Sequence, residues 1–160
     1  MNTNFGSMSE YLLKELKSAL AGLLVRKVLV VTFEVLSADA HALIQPLLDY
    51  CKTLGAHLDS RLLETLPDIQ PYSYDCALII HEGTVFFNEK ELKTFTEIAH
   101  GLKAGASLFA VNLGENSHNK DITFIQKMSK WINLLSARAL LSMRKHDIHE
   151  SCIIMLFRKS

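Results

Sequence analysis

The chain has 160 residues, 49 % of them hydrophobic, and its seventeen basic and seventeen acidic side chains cancel. That length makes one ordinary domain with enough apolar content for a core, so neither a disulfide framework nor a structural metal is needed to hold it. The balanced charge excludes a whole-molecule field that would recruit nucleic acid or an anionic membrane, and no apolar run reaches the length of a membrane span.

Residues 1–8 are small and polar and read as a disordered or tag-derived tail, leaving residues 9–160 as a single domain. Ser9 reads as the cap of a helix over 10–22, with Leu12, Leu13, Leu16, Leu20 and Leu23 on one side and Gly22 at its end. Val28 to Phe33 is β-branched, apolar and uncharged, the pattern of a strand buried on both faces. Ser37 then caps a helix over 38–54, whose inward positions are Ala40, Leu43, Ile44, Leu47, Leu48, Cys51 and Leu54. Pro46 should bend this helix or mark its first turn. Residues 56–62 alternate apolar and polar, as a half-exposed edge strand does. A loop over 66–72 follows, carrying Pro67 and Pro71.

The most regular stretch comes next. Cys76 to Ile80 is a buried-strand run. Asn88 with Glu91 makes a capping box for a helix over 89–102, striped by Leu92, Phe95, Ile98, Ala99 and Leu102. Lys103-Ala-Gly105 supplies the stop, with Gly105 free to take positive φ, and residues 107–112 form another buried strand. Two such strands joined by a helix lie parallel with a right-handed crossover. Beyond a polar loop at 114–120, Asp121 caps a helix over 122–135, with Ile122, Ile125, Met128, Ile132 and Leu135 inward and Trp131 packing nearby. Strands at 137–143 and 152–157, joined by Lys145 to Glu150, close the chain as an antiparallel hairpin. Cys51, Cys76 and Cys152 fall in apolar runs without a CxxC spacing and read as reduced, buried thiols. With no signal-peptide order at the start, a cytoplasmic location is expected.

Parallel βα units that end in an antiparallel hairpin resemble class I S-adenosylmethionine-dependent methyltransferases. Tyr74-Asp75 opening a strand, followed by Ile98-Ala-His-Gly-Leu-Lys-Ala-Gly105 and Ser107-Leu-Phe109, is similar to that superfamily's "(F/Y)D … hLkpGG.l" signature. The resemblance implies a three-layer α/β sandwich of Rossmann-like type with a six-stranded, mostly parallel sheet and one βα unit missing. Numbered along the chain, its strands should lie in the order 2-1-3-4-6-5, with strand 6 antiparallel. The superfamily holds its cofactor on a glycine-rich turn after the first strand, because bare backbone must approach the ligand closely. Here that turn is Phe33-Glu-Val-Leu-Ser-Ala-Asp39, with no glycine. The degenerate positions are Glu34, Val35, Leu36 and Ser37; Glu34 could mimic the family's acidic residue, while Val35 and Leu36 are expected to fill the cofactor's space. No cofactor is therefore expected in this domain.

From Lys27 to Lys159 the chain also resembles the N-terminal methyltransferase-like domain of the anamorsin (cytokine-induced apoptosis inhibitor) family. This resemblance rests on Tyr74 to Ile80, the helix over 89–102 with its turn, and the strand ending at Phe157. It implies a non-catalytic scaffold or protein-interaction module in cytosolic iron–sulfur protein assembly, with a diflavin reductase as partner. The family's clusters sit on cysteine motifs in a C-terminal region that this stretch lacks. The alternative is a divergent methyltransferase using Glu34 to Asp39, with Asp59 or Glu64 on the cofactor's ribose.

Among candidate sites, His81-Glu82-Gly83 follows a strand at its carboxyl end, where acid–base chemistry would sit, but a simple loop fits as well. His146-Asp147-Ile148-His149 offers too few ligands for a zinc site, and His118 reads as a loop residue. Val85-Phe86-Phe87 is an apolar run in a loop, suited either to plug an empty cofactor cleft or to meet a protein. Arg138, Arg144, Lys145, Arg158 and Lys159 gather near the last hairpin and form either an electrostatic patch for an acidic protein or a charge-guarded sheet edge.

Overall fold

The computed structural model describes residues 2–62, 69–83, 87–113, 122–149 and 152–160. Along the chain run α1 (Asn2–Leu20), β1 (Lys27–Thr32), α2 (Ala38–Thr53), β2 (His57–Leu62) and β3 (Tyr74–Glu82), then α3 (Glu89–His100), β4 (Leu102–Leu113), α4 (Ile122–Ala139), β5 (Leu141–His149) and β6 (Cys152–Lys159). The six strands form one sheet in the order β2-β1-β3-β4-β6-β5. The first four neighbours are parallel, and β6 is antiparallel to both β4 and β5. This is the order anticipated from the sequence.

Alternation along the central strands divides the interior into two cores. Cys76, Leu78 and Ile80 of β3 join Val28 and Val30 of β1 on the side covered by α1 and α2. Ala77 and Ile79 join Leu29 and Val31 on the side covered by α3 and α4. Each fully buried Leu or Ile is worth roughly 1.5–3 kcal/mol of transfer free energy, so a sheet covered on both faces accounts for most of the driving force. Cys51, Cys76 and Cys152 all lie inside the α1/α2 core as free thiols. Burial pushes the Cys51 thiol up to about 11 and the Cys152 thiol up to about 12, so both are protonated and inert at neutral pH. Among the described residues, no helix is long and apolar enough to cross a membrane.

The lower end of the sheet is tied by one carboxylate. Asp75 accepts from the backbone N–H groups of Arg26 and Lys27, both at 3.0 Å, and from Lys103 Nζ at 3.0 Å. Burial alone would raise its pKa, but these three donors outweigh it and hold it below the usual carboxylate value. Three strands thus meet at a single ionised group.

Several boundaries differ from the sequence reading. α1 begins at Asn2 rather than after Ser9, so positions 2–8 are helical and Met8 is buried against the α1/α2 core. Ser9 lies inside this helix and is no cap. α3 stops at His100, and Gly101, at φ −79°, is its C-cap. A side chain there would meet Ile69 Cγ2 at 2.3 Å, so Gly101 is demanded by close packing. Gly105 does take positive φ (+84°), but within β4, where the six residues from Leu102 to Ser107 run beside the three from Tyr74 to Cys76. α4 continues to Ala139, and β5 starts four residues later than expected, at Leu141. Leu140, at φ +56°, makes the turn between them without the glycine that usually announces one. Ile122 and Ile125, expected inward, are 70 % and 42 % exposed. The expected cap Asp121 lies outside the described residues.

The capping box at the head of α3 is present as read. Asn88 Oδ1 accepts from the Glu91 N–H at 2.9 Å, and Glu91 Oε1 accepts from the Asn88 N–H at 3.2 Å. Asn88→Ala is expected to lower stability by about 1 kcal/mol in urea unfolding, with an unchanged slope.

Candidate functional site

In open α/β sheets, ligands bind beyond the carboxyl ends of the parallel strands. At that end, β1 leads into Phe33 to Ser37 and β3 ends at Glu82. Ser37 caps α2 through Oγ, which accepts from the Ala40 N–H at 3.2 Å. The same Ser37 is held from the other side by Glu82, whose carboxylate accepts from the Ser37 N–H at 2.9 Å and from the Ser37 hydroxyl at 2.6 Å. These bonds hold the Glu82 carboxyl below its ordinary value of 4.5. A side-chain anion therefore sits at the start of α2, where a glycine-rich turn would present bare N–H groups to a ligand. The sequence carried a signal for this clasp, an acid at the end of β3 and a serine cap after β1, but only the parallel pairing of the two strands brings them together.

Beside the clasp, Phe33 packs on His81 with ring centroids 4.7 Å apart. Between these rings, α3 and α4 lies a cavity of about 20 Å³, lined by residues that include Ile79, Phe95, Asn112 and Trp131. This is room for little more than one water molecule, against the ~300 Å³ at which small-molecule sites begin. The end of β3 is further fixed to β4: the Asn112 amide donates to Gly83 O at 2.9 Å, and the Gly83 N–H donates to Leu113 O at 2.7 Å.

The candidate residues are distributed as follows. Phe87 is 7 % exposed and packs edge-on against Trp131, centroids 5.2 Å apart, in the α3/α4 core. It fills space inside the fold and is not an exposed contact; Val85 and Phe86 lie outside the described residues. Val35 is 78 % exposed, so it does not fill the cleft as expected, and Leu36 packs against the α1/α2 core instead. Glu34 points to solvent. Asp59 is committed to its neighbours, accepting two bonds from Arg61 at 3.1 and 2.8 Å and one from the Tyr74 hydroxyl. The Arg61 contact holds its carboxyl below the usual value. Glu64 and His118 lie outside the described residues.

On the closing hairpin, His146 is exposed, and Asp147 accepts from the Tyr11 hydroxyl. Among the described residues, no three His, Cys, Asp or Glu side chains converge as a metal site. The basic residues do not form one patch. Arg138 belongs to α4 and pairs with Glu89 at 3.0 Å. Lys159 is buried on the α3 side, where its ammonium donates to Ala99 O in the last turn of α3 at 2.5 Å and to Leu102 O at the start of β4 at 3.4 Å. A broad cavity of about 750 Å³ adjoins Lys159, Tyr72 and His100, at the opposite end of the sheet from Glu82. Arg144, Lys145 and Arg158 do share one cavity, on the α1 side.

Sheet order, antiparallel closing hairpin and two helical layers define the class: the chain has a class I S-adenosylmethionine-dependent methyltransferase-like α/β fold. Solved structures agree. An S-adenosylmethionine complex of Haemonchus contortus phosphoethanolamine N-methyltransferase 2 aligns over 95 % of this chain at a TM-score of 0.60 and 11 % identity, and the chain spans 37 % of that enzyme. A Listeria monocytogenes protein described as an S-adenosylmethionine-dependent methyltransferase aligns over 97 % of this chain and 99 % of its own, at a TM-score of 0.56 and 9 % identity. Mitomycin 7-O-methyltransferase aligns over 97 % of this chain and 55 % of its own, at a TM-score of 0.55 and 14 % identity. At these identities the likeness is one of fold. No family model and no curated protein matches the sequence.

In the turn after β1 the Glu82 carboxylate occupies the Ser37 N–H, and the adjoining cavity measures about 20 Å³. The clasp has a pH signature. Glu82 has a depressed folded value, so its contribution is full above the unfolded value of about 4.5 and is lost as pH falls through the lower folded one. Glu82→Gln is expected to cost about 1 kcal/mol near neutral pH, with the gap to wild type closing in acid; equal loss at all pH values would show the charge plays no part.

Proposed function

We propose that this domain is a methyltransferase-fold module that works by binding other molecules rather than by methyl transfer. The Ser37–Glu82 clasp carries the reading, because it spends on an internal contact the backbone that a methyl donor needs. The Phe33–His81 contact and the cavity of about 20 Å³ beside it support the same view. A cytoplasmic, anamorsin-like role in iron–sulfur protein assembly, with a diflavin reductase as partner, is the specific form suggested by the sequence resemblance. It rests on that resemblance alone.

A divergent S-adenosylmethionine-dependent methyltransferase is the second reading, and the comparisons favour it over the iron–sulfur role. Each solved neighbour described above is such an enzyme or is described as one. For this chain to follow them, Glu82 would have to release Ser37 and the turn after β1 would have to open.

Calorimetry with S-adenosylmethionine separates the two. The expected outcome is no heat of binding and no rise in melting temperature. Micromolar affinity would overturn the binding-module reading, and if Glu82→Ala alone bound the cofactor, the clasp would be established as the block. Surface-immobilised binding to a purified diflavin reductase tests the specific form; its absence removes that partner while leaving the module reading intact.

A further inference from the structure

We propose that the α1-facing cavity of the closing hairpin is a binding site for a phosphoryl oxyanion carried by a small ligand. Three cations line it: Arg144 and Lys145 of β5, and Arg158 of β6. In a regular strand, consecutive residues point to opposite faces, so Arg144 and Lys145 could not line the same cavity. A bulge makes it possible. Met143 pairs with Phe157 and Lys145 with Leu156, leaving Arg144 as the extra residue on β5. Bulges of this kind re-aim a side chain, and here the result is a cluster of positive charge.

The charges are only partly spent. Lys145 Nζ pairs with Glu15 Oε1 of α1 at 2.5 Å, so one cation and the one carboxylate in the cavity wall neutralise each other. Arg144 is exposed and Arg158 half-buried, and among the described residues neither has an acidic partner. Arg158 Nε is buried and makes no hydrogen bond within the described structure. A buried charged donor left over in this way is a standing cost. Two guanidinium forks suit phosphate better than they suit chloride or a lone carboxylate, because several planar N–H groups can meet several oxygens at once. Ser18 of α1 adds a hydroxyl to the wall. The volume, about 280 Å³, admits a phosphoryl group with a small attached moiety.

Charge on a sheet edge also guards against strand pairing, and β5 is the edge strand. Arg158 does not fit that role, since it lies on the interior strand β6 with its Nε buried. The site is distant in sequence and in the sheet from the Ser37–Glu82 clasp, so it stands whichever reading of the cofactor end is right.

The test is calorimetry on the whole chain with inorganic phosphate and pyrophosphate against sodium chloride at matched ionic strength, with amide NMR shifts to locate binding. Saturable binding is expected for both phosphates, with shifts centred on Ser18, Arg144 and Lys145. Arg144→Gln and Arg158→Gln should each weaken it about tenfold, the worth of one charged hydrogen bond. Glu15→Gln should tighten it by removing the competing negative charge. If Arg158→Gln does not fold, Arg144→Gln decides alone, because its side chain is exposed. Silence with both phosphates, a response equalled by chloride, or affinity indifferent to Arg144→Gln overturns the proposal. So does binding of polyglutamate with phosphate silent, which would make the surface a dock for acidic protein.

Discussion

The structure depends on β3 being buried on both faces. Its residues alternate between two separate cores, Cys76, Leu78 and Ile80 on one side and Ala77 and Ile79 on the other, and all of these are at most 2 % exposed. A strand in that position must pair on both edges and be covered by helices on both faces, because its backbone groups have no access to water. β1 and β4 satisfy the edges, and α1/α2 and α3/α4 the faces. The order of the remaining elements follows, since a crossover helix can return to a parallel neighbour in only one hand.

Two carboxylates at opposite ends of β3 then set what the fold can do. Asp75, at the lower end, gathers the backbone before β1 and the Lys103 side chain of β4, fixing the relative positions of three strands. Glu82, at the upper end, reaches across to Ser37 and so determines the fate of the turn after β1. The first contact is compatible with any function at the upper end. The second occupies the N–H of Ser37, the N-cap of α2, and so takes up one backbone donor at that helix start.

The fold was legible because its signal is apolar run length. Val28 to Phe33, Cys76 to Ile80 and Ser107 to Asn112 announce buried strands, and Asn88 with Glu91 announces α3 with the observed cap. Boundaries failed where the physical cause is tertiary. Ser9 suggests a helix start by its chemistry, but Met8 finds a place in the α1/α2 core and draws the helix back over the preceding residues. Ala137 to Leu140 suits a strand as well as a helix, and the switch occurs at Leu140 in a left-handed conformation that no local residue type predicts. The site was less legible still. Val35 looked like a plug by its bulk and is in fact solvent-facing, whereas closure comes from a polar pair, Ser37 and Glu82, 45 residues apart in sequence. Phe87 did read as a possible plug, and it packs on Trp131, itself fixed by an indole bond to Asn88 O at 3.1 Å.

The closing hairpin illustrates why the basic residues resisted interpretation from sequence. Five of them fall within 22 positions, from Arg138 to Lys159, and a strand pattern started at 137 distributes them by simple alternation. The actual start at Leu141 takes Arg138 out of the strand, and the bulge at Arg144 turns Lys145 to the same side as Arg144. Arg138 is left on α4 to pair with Glu89. Lys159 faces the α3 side and donates to Ala99 O in the last turn of that helix. Only Arg144, Lys145 and Arg158 remain together, beneath α1. A one-residue irregularity in strand pairing therefore decides whether a run of cations is a diffuse surface charge or a localised one. Strand parity is the physical reason: every residue inserted on one strand inverts the facing of all that follow.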